Sequence, residues 1–273
     1  MLAVMKWRIR RMGEVLGIDV SHHNGKIDWK AVAKSGKRFA ILKAQYEAKS
    51  HRKDETFEYN YLEAGKAGLS RGVYIYIARA SVSDPVADAN SLIKHLDGRP
   101  LEYGIWLDME DASIRGLGRE KLNKLIYIYA NIFRAAGYYV GIYCNQDWYN
   151  NVLDNRSLPK DFDFWIARYP KGDTGAYNPN SSLKPSRIAV AWQYSSKGKV
   201  PGINTYCDLN VDFDGVVNLM GEGSQITSLR QVALEVIAGK WGTASTKPSR
   251  KELLTAAGYN YDEVQRIVNQ LSR

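Results

Sequence analysis

Short apolar runs of strand length recur along most of this chain, separated by polar or amphipathic segments. Eight runs are rich in Ile, Val, Tyr and Trp and read as strands: VLGIDVS (15–21), FAILKAQ (39–45), GVYIYIA (72–78), YGIWLDM (103–109), YYVGIYC (138–144), FDFWIAR (162–168), RIAVAWQY (187–194) and TYCDLNV (205–211). Helical stretches separate the first five: DWKAVAKSG, TFEYNYLEAGKAG, DPVADANSLIKHLDG and GREKLNKLIYIYANIFRAAG. Several close on Gly, and Asp84-Pro85 is a good helix start. DWYNNVLDN (147–155) predicts one more short helix. After the fifth strand the connections, such as PKGDTGAYNPNSSLKPS and SSKGKVPG, lose apolar periodicity. Alternation of strand and helix implies parallel pairing through right-handed crossovers. The expected fold is therefore α/β: a barrel with five β/α units and three terminal strands without helices.

Barrels of this kind carry their chemistry at the C-terminal ends of the strands. Polar residues gather there: Asp19 and Ser21, Gln45 and Glu47, Asp108 and Glu110, Asn145, Gln193 with Tyr194, and Asp208 with Asn210. The fourth strand is the most telling. It runs apolar through Ile105, Trp106 and Leu107 and then meets Asp108 and Glu110 at spacing i, i+2. In an extended chain both carboxyls face one way, roughly 6.5 to 7 Å apart. Like charge and partial burial push one pKa up, so one acid holds a proton while its neighbour stays charged. That is the condition for acid-assisted cleavage of a glycosidic bond.

At 45% hydrophobic and 25% charged residues the chain has the balance of a soluble globular protein. No window is apolar for long enough to span a membrane. The net charge of +9 favours anionic partners in general. Apart from Lys6, Arg8, Arg10 and Arg11, however, the Lys and Arg residues are scattered, and no nucleic-acid-binding motif accompanies them. Cys144 and Cys207 are too few for a disulfide framework and read as buried thiols. His22 and His23 are adjacent with no third ligand spaced nearby, so neither a metal nor another cofactor is expected.

The ordered blocks GIDVSHHNGKIDW, GVYIY, WLDMED, GIYCNQDWY, FWIARYP, AWQYSS and CDLNVD resemble glycoside hydrolase family 25, lysozymes that cleave the β-1,4 bond between N-acetylmuramic acid and N-acetylglucosamine. The resemblance spans roughly residues 14 to 220. It implies a flattened barrel, with Glu110 as general acid and Asp19, Asp108 and Asp208 completing an acidic cluster. It also implies a sugar groove walled by Tyr74, Tyr76, Trp165, Trp192 and Tyr194, with Gln193 and Arg168 as further substrate contacts. GVYIYI departs from the family pattern, where a His often follows the first Tyr; Ile75 stands here. The residues leave open whether the substrate's N-acetyl group or an Asp-activated water attacks the anomeric carbon.

GEGSQ (221–225) is a polar break, and three short helical patterns follow it. Val232, Val236 and Ile237 recur at helical spacing, as do Val264, Ile267, Val268 and Leu271. This segment resembles the short wall-binding repeat at the end of some phage lysozymes, a three-helix unit. The resemblance implies wall-binding roles for Trp241, Arg250 and Tyr259. The expected organisation is a basic arm (1–13), a catalytic barrel (14–220), a linker (221–227) and a small three-helix wall-binding domain (228–273). The start MLAVMKWRIRRMGE lacks the marks of a secretory signal. The expected protein is a phage-endolysin-like muramidase acting on bacterial peptidoglycan. It would accumulate in the host cytoplasm and reach the wall through a separate membrane pore. Its rivals are a chitinase-like glycosidase and a catalytically inactive wall-binding protein.

Overall fold

The computed structural model describes residues 14–46, 50–158 and 162–213, and in the C-terminal segment 232–233, 236–237, 239, 241–243, 245–256 and 261–271. The chain divides into two compact units, Met1–Leu219 and Met220–Arg273. The arm over 1–13, Glu47, the linker over 221–227 and Tyr259 lie outside the described residues.

In the first unit eight strands close a barrel in chain order: β1 (Val15–Val20), β2 (Phe39–Lys43), β3 (Ser70–Tyr76), β4 (Ile105–Asp108), β5 (Val140–Asn145), β6 (Phe164–Ala167), β7 (Ala191–Gly198) and β8 (Cys207–Asp212). The first seven are parallel. β8 pairs antiparallel with both β7 and β1. Helices α1 (Trp29–Lys34), α2 (Phe57–Lys66), α3 (Arg79–Ser83), α4 (Pro85–Leu96) and α5 (Arg119–Ala135) fill the crossovers up to β5, and a short helix at Trp148–Val152 follows β5. Between Phe164 and Asp212 every residue is described and none is helical.

Local chemistry explains where the helices begin. The Asp28 carboxylate accepts the backbone N–H groups of Lys30 and Ala31, and Asp84 accepts that of Ala87 with Pro85 in the first turn. On α5 the residues Leu122, Leu125, Ile126, Tyr129 and Phe133 recur at helical spacing and are buried against the outside of the barrel.

The barrel interior is closed by aromatic rings. Phe39 stacks on Tyr103 at 4.3 Å between centroids, Tyr103 meets Trp106 at 5.7 Å, and Trp106 meets Trp165 edge-on at 5.8 Å. These rings fit because glycines face them. A Cβ on Gly17 would lie 2.4 Å from Phe39, and one on Gly141 would lie 2.3 Å from Trp106. Above this plug the barrel is a cup, open at the end where β1 to β7 finish.

In the second unit α6 (Arg250–Ala256) and α7 (Tyr261–Leu271) follow helical residues at 232–233 and 236–237. Val232, Ala233, Val236, Leu254, Val264 and Val268 form its core, with Trp241 and Tyr261 against them. Ile237, which the spacing predicts as a core residue, is instead exposed. The stripe made by Val232, Ala233 and Val236 already fills so small a core, and Ile237 falls on its edge. The side chains of Ile267 and Leu271 lie outside the described residues.

Replacing Gly141 by Val should destabilise the barrel by about 2–3 kcal/mol, because the added carbons meet a ring packed on its other sides. Urea denaturation of the two proteins measures this directly.

Candidate active site

A cavity of about 370 Å³ opens above the aromatic plug, lined by Asp19, Lys43, Tyr74, Tyr76, Asp108, Glu110, Tyr143, Trp165, Tyr169, Gln193 and Asp208. Four acids from three strands meet there. Asp19 is the next-to-last residue of β1, and Asp108 ends β4 with Glu110 just beyond it. Asp208 arrives differently. Sequence reading places it at the far end of the eighth strand, but β8 runs backwards, so Asp208 is its second residue and pairs with Asp19. An antiparallel last strand starts at the mouth where its neighbours end, which brings the fourth acid to the others.

Hydrogen bonds make these acids unequal. Asp19 Oδ2 accepts Gln193 Nε2 at 2.8 Å and Asn210 Nδ2 at 2.8 Å. Both amides are themselves held: Tyr143 OH donates to Gln193 Oε1 at 2.8 Å, Tyr169 OH donates to the same oxygen, and Trp165 Nε1 donates to Asn210 Oδ1 at 2.9 Å. Burial pushes Asp19 up to about 6 despite these donors. Asp208 is pushed up to about 8 by burial, by the Asp19 charge and by its hydrogen bond to Asp19, so it carries the proton of the pair. Burial and then the charges of Glu110 and Asp19 hold Asp108 far above the usual carboxylate range, with Lys43 opposing. Asp108 Oδ1 is buried without a hydrogen-bond partner. Glu110, half-exposed at the mouth, is raised by burial and by the Asp19 and Asp111 charges, while a hydrogen bond from Asn145 works against them.

Of the residues expected to contact sugar, Tyr74, Tyr76, Trp165 and Gln193 line the cavity. Tyr76 is fixed at the rim by its OH, which donates to Asp111 at 2.7 Å. Trp192, Tyr194 and Arg168 do not line it. Side chains alternate along β7, so Gln193 faces inward while Trp192 and Tyr194 turn outward onto Tyr177. Trp192 Nε1 donates to the Arg168 carbonyl at 2.8 Å, and the Arg168 guanidinium reaches the Leu183 carbonyl at 3.3 Å. Those three residues brace the long loop before β7. His22 pairs with Asp54 at 2.7 Å, and Gln45 donates to Asp88 at 2.7 Å; neither lines the cavity. Lys43, Tyr143 and Tyr169 were not anticipated as lining residues. Lys43 and Tyr143 share the inward parity of Phe39 and Gly141 on their strands, a usable signal; Tyr169 sits in a loop, which carries none.

The model for glycosyl hydrolases family 25 matches residues 18–203, well over half of the chain. The chain belongs to that family. It is similar to Lysozyme M1 of Streptomyces globisporus, 31% identical over 72% of this chain and 67% of that protein. It is also similar to the autolytic lysozyme of Clostridium acetobutylicum, 28% identical over 74% of this chain but only 56% of that protein. The crystal structure of the bacterial lysozyme from Streptomyces coelicolor superimposes with a TM-score of 0.62 at 28% identity, covering 78% of this chain and all of that one. This family 25 chain is thus a glycoside hydrolase of the lysozyme kind.

A second family model, the CW_7 repeat, matches residues 230–271 of the family 25 protein. Arg250, read as a wall ligand, turns its guanidinium inward. Nε and Nη2 both donate to the Gly242 carbonyl, at 3.1 and 2.9 Å, and its backbone N–H donates to Thr243. Arg250 therefore locks the turn after Trp241 onto the start of α6. Trp241 is half-buried against the small core.

The raised acids of the cup link its stability to pH. With Asp208 near 8 when folded and near 3.8 when unfolded, the folded chain binds more protons between those values. This contribution is complete below about pH 4 and is lost as pH rises through about 8. The urea midpoint of the family 25 protein should fall between pH 5 and pH 9, and Asp208→Asn should flatten that fall. An equal slope in the variant would show that another group carries the linkage.

Proposed function

We propose that this protein is a muramidase. It would cleave the β-1,4 bond between N-acetylmuramic acid and N-acetylglucosamine in peptidoglycan with Glu110 as general acid and with help from the substrate's own acetamido group. The observation that carries this reading is the orphaned Oδ1 of Asp108, buried in the wall of a cup whose other acids are hydrogen-bonded. Such an oxygen wants a donor, and an acetamido N–H on the sugar supplies one. An amide N–H on Asp108 favours its charged form and leaves a proton on Glu110, so substrate binding separates two acids that compete in the free enzyme.

The reaction follows from that division. The acetamido oxygen attacks the anomeric carbon, the glycosidic C–O bond breaks, and the departing oxygen takes the Glu110 proton. Charged Asp108 holds the N–H and stabilises the positive ring that forms. Water then opens that ring, giving its proton to the Glu110 carboxylate and restoring the enzyme. Asp19, fixed by Gln193 and Asn210, and protonated Asp208 keep the cup's charge such that Glu110 holds its proton. Lysozyme relatives support a cell-wall lytic role; that this role is of the endolysin type, with the CW_7 repeat of the second unit holding the enzyme on the wall, is part of the same proposal. The assignment of the barrel to residues 14–220 and of wall binding to 228–273 belongs to the same proposal.

Glu110→Gln should lower hydrolysis of purified peptidoglycan by about 10³-fold or more while wall binding persists. Wild-type activity should fall as pH rises through the raised pKa of Glu110, since the acid works protonated. Mass spectrometry of a borohydride-reduced digest identifies the bond: new ends of reduced N-acetylmuramic acid are expected. Ends of reduced N-acetylglucosamine, or full lysis by the Glu110 variant, would overturn the assignment.

A further inference from the structure

Outside the cup, the first unit carries a groove made by two adjoining cavities of about 590 and 410 Å³ that share Asn204. One is walled by the turn between β7 and β8, including Lys199, Thr205 and Tyr206. The other is walled by the start of α1 and by α2, including Lys26, Lys30 and Tyr59. The segments that wall the groove adjoin, along the chain, two that carry acids of the cup. Tyr206 lies two residues before Asp208, and Asn24 follows β1 in the turn after Asp19.

Its walls are tied together, so the surface is preformed. Asn24 Nδ2 donates to Thr205 Oγ1 at 3.2 Å and to the Tyr206 carbonyl at 3.1 Å, and the Asp28 N–H donates to the Gly202 carbonyl at 2.9 Å. Tyr59 OH donates to the Ile27 carbonyl at 2.9 Å. Two large rings remain open to solvent, Tyr206 at 57% and Tyr59 at 37% exposure. A lysine ammonium stands over each: Lys199 Nζ 5.8 Å from the Tyr206 centroid and Lys26 Nζ 5.8 Å from that of Tyr59. The acids of the groove are already engaged. Asp28 caps α1, and Glu63 pairs with Lys66 at 2.8 Å. Among the described residues Lys26, Lys30 and Lys199 make no ion pair.

We infer that this groove holds the acidic peptide stem of the substrate, its lysines pairing with stem carboxylates and its tyrosines covering the peptide's apolar parts. The inference rests on the muramidase reading. Charge decides between stem and glycan. When a stem is attached, the lactyl carboxyl of the muramic sugar is tied up as an amide, so the glycan is neutral and the substrate's negative charge lies in the peptide. Ammonium groups that, among the described residues, have no ion-pair partner match the charged branch and have nothing to pair with on the neutral chain.

The test compares Lys26→Glu/Lys199→Glu with wild type on two soluble substrates: peptidoglycan strands bearing uncrosslinked stems, and the same strands stripped of stems by an amidase. On the peptide-bearing strands the double variant should raise KM by about five- to tenfold with kcat nearly unchanged, since two exposed ion pairs become repulsions. Stripping frees one lactyl carboxylate on each muramic sugar but removes the stem that would reach the groove. On the stripped strands the double variant's KM should therefore match wild type, and Lys26→Arg/Lys199→Arg should behave as wild type on both. An equal rise on both substrates would assign the groove to glycan, and no rise on either would remove it from substrate binding; each overturns the inference while leaving the muramidase reading intact. Failure of the wild type to release reducing ends from either substrate would overturn both.

Discussion

Everything at this site depends on keeping four carboxyl groups together in one cup. The aromatic plug of Phe39, Tyr103, Trp106 and Trp165 closes the barrel beneath them. Above it the acids cannot all be charged, since each ionisation raises the cost of the next in a poorly solvated space. The protein resolves the conflict by supplying donors selectively. Asp19 receives two oriented amides, Asp208 takes the proton, and Glu110 has one amide partner at the open lip. Asp108 Oδ1 is left without a donor. The unequal distribution of hydrogen bonds, more than the number of acids, gives each carboxyl a different character.

That distribution is only as good as the rigidity of the groups behind it. Gln193 and Asn210 face Asp19 correctly because Tyr143, Tyr169 and Trp165 hold their other ends. Farther out, His22 and its backbone N–H both meet Asp54, tying the turn after β1 to the segment before α2. Behind the strands a second polar centre does the same work. Buried Asp88 accepts Gln45 Nε2 at 2.7 Å and Tyr129 OH at 2.6 Å, joining β2, α4 and α5. Loops at the mouth are thus tied by charged or amide contacts to other parts of the barrel. The pinning extends to the turn between β7 and β8, which makes a rigid lip and groove of what would otherwise be an exposed hairpin end.

Much of this was legible beforehand where an effect is local. The eight strand patterns, the helix starts at Asp28 and Asp84 and the inward acids at Asp19 and Asp108 follow from alternation, capping and placement at a strand end. Three residues expected at the sugar groove lie outside the lining of the cup. Trp192, Tyr194 and Arg168 sit in motifs that look functional, yet strand parity and loop packing turn them away from the cup. Arg250 likewise sits where a ligand would be met, but a nearby carbonyl claims its guanidinium. A motif identifies which segment is at the site; it does not say which way each side chain faces.

The sequence by itself determined the α/β alternation, the pairing of Asp108 with Glu110 at one strand end and the resemblance to a glycosidase family, because each is written in neighbours a few residues apart. Only the tertiary structure decided that β8 runs backwards and so delivers Asp208 to Asp19, and that amides from β7 and β8 converge on Asp19. It alone left Asp108 Oδ1 unpartnered and set Lys26 and Lys199 along one groove. Those outcomes join residues far apart in the chain, and they arise when a curved sheet closes on itself, a condition that no local pattern of residues encodes.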